Sequence, residues 1–271
     1  MKGMIAFETY LYGDFGYERP ENPNDTVFLV DKFIHLPSIR PFFLEKIVEF
    51  CIEFCHNSDF RNKLLEKSNK CPILLYKLFQ KGVLSFAEIE THLRNNDSFI
   101  VCYYFRKEIN DFMGFILEKY KPKELDEGFL ENDNDIDDFI EFGFLPSSIE
   151  YCLKYDDIDF LRNIDLLFVK DAQWSPFEWS LRPDSLKLLP FSGYFGSINC
   201  FKHLLLNGFE ICEVTRSSIV CSGSFDLFHL CNYEKCFFNE IIFNATKFSQ
   251  QNMLAFFTEN GADINTRNKN Q

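Results

Sequence analysis

Basic residues are scarce in this sequence. Its 28 Lys and Arg stand against 41 Asp and Glu, a formal net charge of −13 over 271 residues. That deficit excludes a nucleic-acid binder, because such proteins gather Lys and Arg on one face to displace counterions from phosphates. The short basic pairs Lys121/Lys123 and Arg267/Lys269 do not make such a patch. An acidic surface favours solubility and basic partners without identifying one. Long apolar runs are also missing. No stretch approaches the ~20 uncharged apolar residues that span a bilayer, so no membrane partner is expected. Met1 to Tyr10 holds a single Lys and no apolar run of signal-peptide length. A cytoplasmic location is the expectation.

Cysteines in a disulfide-framework spacing are lacking too. The ten Cys are scattered from Cys51 to Cys236, mostly inside apolar helical patterns, as buried free thiols are in a reducing compartment. The Asn-x-Ser/Thr triplets at Asn24, Asn96 and Asn244 are then chance matches. Phosphate-cradling motifs are absent, with no Gly-x-Gly-x-x-Gly and no Gly-Lys-Ser/Thr. The Ser cluster "SSIVCSGS" lacks the spacing of a nucleophile elbow. Asp133-Asn134-Asp135-Ile136-Asp137 alternates like a calcium loop, but Asp138 stands where Gly is needed and Phe144 where Glu is needed. His229, Cys231 and Cys236 lie close together, as do Cys51, Cys55 and His56. Neither group has a second ligand pair at finger spacing, so they read as packed helix residues rather than zinc ligands. No cofactor, metal or catalytic residue is expected.

What the sequence has in quantity is Phe, 34 of them, beside many Leu and Ile, enough for a bulky helical core. Residues 1–40 are punctuated by Gly3, Gly13, Gly16, Pro20, Pro23 and Pro37. They read as an irregular arm with a short docked segment at Val27–Phe33. Helical periodicity begins at Pro41, and Phe43, Leu44, Ile47, Val48, Cys51, Ile52 and Cys55 follow the spacing of one helix face. Further helices are predicted over Phe60–Lys67, Ile73–Lys81 ending at Gly82, Ser85–Leu93 with Ser85 and Glu88 as a capping box, Ser98–Arg106 and Asn110–Lys119. This helical region spans 41–123. Glu124 to Glu141 then carries nine Asp/Glu and no Lys or Arg, which marks 124–145 as an acidic boundary segment.

From 146 to 271 the text repeats itself. "LPFSGYFGSINCFKHLLLNGFEI" (189–211), "IVCSGSFDLFHLCN" (219–232) and "NATKFSQQNMLAFFTENGADIN" (244–265) each read as a short helix, a tight turn and a longer apolar helix. "SIEYCLKYDDIDFLRNID" (148–165) is a weaker copy. The turns fall at Asp156, Gly196, Gly223 and Ser249, spaced 40, 27 and 26 residues apart. Gly208 and Gly261 stand where left-handed helix caps belong.

"SGYFGSINCFKHLLLNG" (192–208) resembles the ankyrin run of two small residues, a Gly turn and a helix ending in Leu-Leu-x-x-Gly. "LAFFTENGADIN" (254–265) resembles the end of an ankyrin second helix, its Gly cap and the start of the finger. The chain is similar to the divergent ankyrin-repeat proteins of parasitic protists, in which a helical region like "CPILLYKLFQKGVLSFAEIETHL" (71–93) precedes the repeats. The turn spacing drifts about the ankyrin period of about 33 residues, and the Thr-Pro-Leu-His opening of a standard repeat is absent. Gln271 stands about where the next finger would place Gly, so a fragment or truncated member is expected.

The resemblance implies an all-α helical-repeat solenoid with ankyrin-like helix-turn-helix units in the C-terminal half. It also implies a monomeric module that binds another protein through its concave face and finger loops. Tyr194 and Phe195, with Lys247 and Phe248 in the corresponding place, are the candidate contact residues on the concave face. Trp174 and Trp179, in the loop "DAQWSPFEWSLRP", are candidate anchors. The alternatives are an enzyme of unrecognised type with a site in the N-terminal half, or a truncated structural spacer.

Overall fold

The computed structural model describes residues 26–39, 44–67, 70–95, 99–119, 133–169, 171–173, 175, 177–178, 187–231, 238–248 and 250–263. The protein is all-α, with no strand among the described residues beyond one antiparallel bridge between Asp171 and Lys187. None of its described helices is long and apolar enough to cross a membrane. The chain divides into two compact units, Met1–Gly143 with Pro176–Ser180, and Phe144–Ser175 with Leu181–Gln271.

In the first unit the helices are α1 (Thr26–Ile39), α2 (Leu44–Phe54), α3 (Ser58–Glu66), α4 (Pro72–Gln80), α5 (Phe86–Asn95), α6 (Phe99–Tyr104), α7 (Phe112–Lys119) and α8 (Asp133–Phe142). Their ends have local causes. The Asn57 side chain accepts from the Asp59 and Phe60 N–H at 2.9 and 3.2 Å, opening α3. Pro72 opens α4, where its missing N–H costs nothing. Ser85 and Glu88 form the expected capping box, with the Ser85 N–H donating to Glu88 Oε2 at 2.8 Å. α1 packs on α3 and α3 on α5, while α2 packs on α4 and α4 on α6. Phe33, Phe60 and Phe105 are among the largest side chains fully buried here.

One expectation changes in this unit. Residues 26–39 are a helix, not an irregular arm, with Leu29, Val30, Phe33, Ile34 and Leu36 buried in the core; residues 1–25 lie outside the described residues. Residues 133–142 of the acidic boundary segment form a helix that buries Ile136 and Ile140 in the same core. Its residue Asp137 meets Arg106 at 2.9 Å and Lys107 at 2.6 Å. Partial burial pushes the Asp137 carboxyl up, but these two cations outweigh it and hold it below the ordinary carboxylate value. A depressed carboxyl contributes stability above its unfolded value of about 3.9, and that contribution fades as pH falls through the folded value. Urea midpoints of the wild type should therefore drop more steeply below about pH 4 than those of Asp137→Asn. Parallel pH profiles of the two proteins would refute the ion pair's role.

The second unit is built from α9 (Ile149–Tyr155), α10 (Ile158–Leu161), α11 (Leu188–Phe195), α12 (Ile198–Leu206), α13 (Glu213–Ser222), α14 (Phe225–Leu230), α15 (Phe238–Lys247) and α16 (Gln251–Glu259). They pair as α9/α10, α11/α12, α13/α14 and α15/α16. Successive first helices pack on one another, α9 on α11 on α13 on α15, and so do α10, α12 and α14. Phe225 and Phe228 carry the second row onto Phe256 of α16, with ring centroids 5.8 and 5.5 Å apart. Three of the predicted turns are where they were placed; the fourth, at Ser249, lies outside the described residues. Asp156, Gly196 and Gly223 all have left-handed backbone, with φ of 58°, 74° and 73°. After three of the first helices, the N–H of Asp157, Ser197 and Gln250 donates to the carbonyl five residues back, at 2.9, 3.0 and 2.7 Å.

The turns also bind neighbouring pairs together. The Asp156 carboxylate accepts from the Cys200 N–H at 2.8 Å and from the Asn199 N–H at 3.2 Å, so an acid of the first pair caps α12 of the second. Ser197 Oγ donates back to the Leu153 carbonyl, and Gln250 Nε2 donates to the Cys221 carbonyl at 2.6 Å. Asp156→Ala removes this cap and places a Cβ without a compensating hydrogen bond in left-handed backbone. It should cost about 1–2 kcal/mol in urea unfolding, and Asp156→Asn should cost less. An Ala variant as stable as the wild type would refute the capping role.

Candidate functional site

The residues first expected to make contacts are brought together, but inside the second unit. Tyr194 lies edge-on to Phe248, centroids 5.9 Å apart, and against Phe195 at 5.2 Å. Lys154 sits over Phe195 at 5.6 Å and Lys247 over Phe248 at 5.3 Å. Tyr194, Phe195 and Phe248 are only 5%, 8% and 8% exposed. They are packing residues rather than presented rings, because the neighbouring helices of the row close over the last turn of each first helix. Lys247 remains half-buried. Trp174 and Trp179 lie outside the described residues.

The three most exposed of the large apolar side chains, Leu167, Phe168 and Leu206, lie instead after α10 and at the end of α12. After α10, the Asp165 side chain accepts from the Leu167 N–H at 3.0 Å. This Asx turn sets Leu167 and Phe168 outward, 81% and 85% exposed. α12 ends on Gly208 at φ 86°, with the Phe209 N–H donating to the Leu204 carbonyl at 3.1 Å. The result is a Schellman closure that folds Phe209 back against the unit and leaves Leu206 88% exposed. The Asp171–Lys187 bridge sets Asp171 beside the start of α11.

Between these loops lies a cleft of about 630 Å³. Leu166, Leu167, Leu189, Pro190 and Phe209 give it apolar walls, and Asp171, Lys187, Glu210 and Cys212 its polar edge. No protein-family model, no curated protein and no solved structure matches this chain. The cleft is therefore judged on its own chemistry.

Of the nine described cysteines, seven are buried, Cys221 is half-buried and Cys212 alone is exposed. Burial pushes the Cys71 thiol up to about 12 and Cys231 to about 11, which keeps them unreactive. At Cys212, partial burial raises the thiol, but hydrogen bonds with Thr215 and the Val214 backbone and the charge of Lys187 hold it below its ordinary value. Among the described residues no group of three or more His, Cys, Asp or Glu could hold a metal ion. His229, weighed earlier as a ligand, packs among the rings of Phe225, Phe228 and Phe256. The cleft was not legible beforehand because "DLLFV" (165–169) reads like any core-forming run. The only local signal was Asp165, an acid two residues before paired apolar side chains.

Proposed function

We propose that this chain is a stack of ankyrin-like helix pairs that works by binding another protein, and that the partner docks at the loop-end cleft of the second unit. The order of packing supports the repeat reading: first helices stack in one row, second helices in another, and three of the four pairs turn through a left-handed residue among the described residues. The observation that carries the function is the exposure of Leu167 in the cleft wall, with exposed Phe168 next to it in the chain and exposed Leu206 directly before lining Asn207. Single exposed apolar residues are ordinary, but large ones gathered at a cleft mark binding surfaces. Covering one such side chain is worth about 1.5–3 kcal/mol. The chain then acts as a cytoplasmic monomer that holds a partner and carries out no reaction of its own.

The test is affinity capture from cells that express the protein, comparing wild type with Leu167→Ser/Phe168→Ser. Both positions are exposed loop sites, where substitution leaves stability within about 0.5 kcal/mol. A partner recovered with the wild type, lost with the variant and rebinding in purified form by calorimetry is the expected result. A purified partner that binds both proteins equally would refute docking at this cleft.

A further inference from the structure

We infer that the cleft's occupant is a basic segment of another protein, anchored by one bulky aliphatic or aromatic side chain flanked by Lys or Arg. This rests on the docking reading above and names the partner's chemistry. The walls set by Leu166, Leu189, Pro190 and Phe209 offer a charged side-chain tip nothing in exchange for its water, so the anchor is apolar. The rim has the opposite character. Asp171 and Glu210 line it and are exposed, exposed Asp165 and Glu213 are the chain neighbours of lining Leu166 and Cys212, and Lys187 is the one cation among the described residues of the lining. Asp171 and Lys187 stand opposite each other in an antiparallel bridge, which places their side chains as neighbours of opposite sign. Among the described residues that leaves Glu210 as the lining's uncompensated charge, with Asp165 and Glu213 flanking lining residues in the chain. Asp165 is fixed in place, since its carboxylate holds the turn that presents Leu167. The whole chain at −13 extends the same field outward and steers cations toward it. A second copy of the chain, or an anionic bilayer, would meet like charge here.

The experiment selects displayed random peptides on the full-length protein, then measures the enriched ones as labelled synthetic peptides by fluorescence anisotropy. Targets are the wild type, Leu167→Ser/Phe168→Ser and Glu210→Lys/Glu213→Lys, each first shown to keep wild-type helicity and melting. Cys212, exposed in the cleft, reports occupancy through its alkylation by iodoacetamide. Enriched peptides should carry an apolar anchor between basic residues and shield Cys212. They should weaken about tenfold or more on the serine variant, several-fold on the charge-reversed one, and further as salt is added. Peptides that need Leu167 and Phe168 and shield Cys212, yet are acidic or uncharged, would overturn this inference while leaving the docking reading intact. Peptides indifferent to the serine variant would sink the docking reading itself. Two further results would overturn the inference by naming another occupant. One is flotation of the protein with phosphatidylcholine/phosphatidylserine vesicles, and the other is a dimer in sedimentation, either being lost in the serine variant.

Discussion

Phe201→Ala should lower the stability of the second unit by about 3–5 kcal/mol. The ring is fully buried in α12 and sits beneath α11, with its edge 3.5 Å from where a side chain on Gly193 would begin. Removing it costs the transfer free energy of the ring and leaves a cavity. The surroundings can fill that cavity only in part, because the nearest wall is the α11 backbone at a glycine. Single domains are stable by only about 5–15 kcal/mol, so the loss takes a large share of what holds this unit together. Phe201→Leu keeps most of the volume and should cost under about 1.5 kcal/mol. Urea unfolding gives the free energies. Hydrogen exchange of peptides from 188–230 shows whether protection is lost where the ring sits. An Ala variant within about 1 kcal/mol of the wild type would mean the ring is not a core element.

Gly193→Leu should be nearly as damaging, for the opposite reason. A Cβ at this position would stand 3.0 Å from Ile219 Cγ1 and 3.7 Å from the Ile219 backbone nitrogen. α11 and α13 therefore meet across a glycine, and a branched side chain there must push them apart. Overpacking of this kind costs about 1–3 kcal/mol and occasionally more; the nearby backbone, which cannot rotate away, puts Leu at the upper end. Gly193→Ala is the informative contrast. Ile219 can give by a few tenths of an ångström, and removing a glycine from a helix interior returns about 0.5–1 kcal/mol. The Ala variant should therefore unfold close to the wild type. A Leu variant with a wild-type midpoint would show that the helices do not approach as described.

The turns and caps were legible because their chemistry is local. Left-handed backbone selects Gly or Asp, and Gly196, Gly223 and Asp156 announced it. Ser85 and Glu88 announced a capping box by spacing alone. Core membership was legible as periodicity, but α1 was not. In "TVFLVDKFIHLPSI" (26–39) the polar face of Asp31, Lys32 and His35 is short and broken in sequence by Phe28 and Ile39, and Pro37 read as a break. Tyr194, Phe195 and Phe248 were placed at the correct turns of the correct helices, yet their burial depends on neighbouring pairs that are distant in sequence. The cleft is harder still. It joins a loop near 166, the start of α11 near 187 and a loop near 209, and no single stretch carries the combined signal.

The links between pairs give the second unit a grammar for recombination. Asp156 caps a helix that belongs to the pair after it, and Ser197 and Gln250 reach into the pairs before them. A pair cut out from the start of its first helix to the end of its second leaves a cap behind and carries a dangling donor with it. The exchangeable piece therefore runs from one turn to the next. Grafts, duplications or deletions joined at Asp156, Gly196 and Gly223 would respect that grammar, whereas joints in the long loops would not.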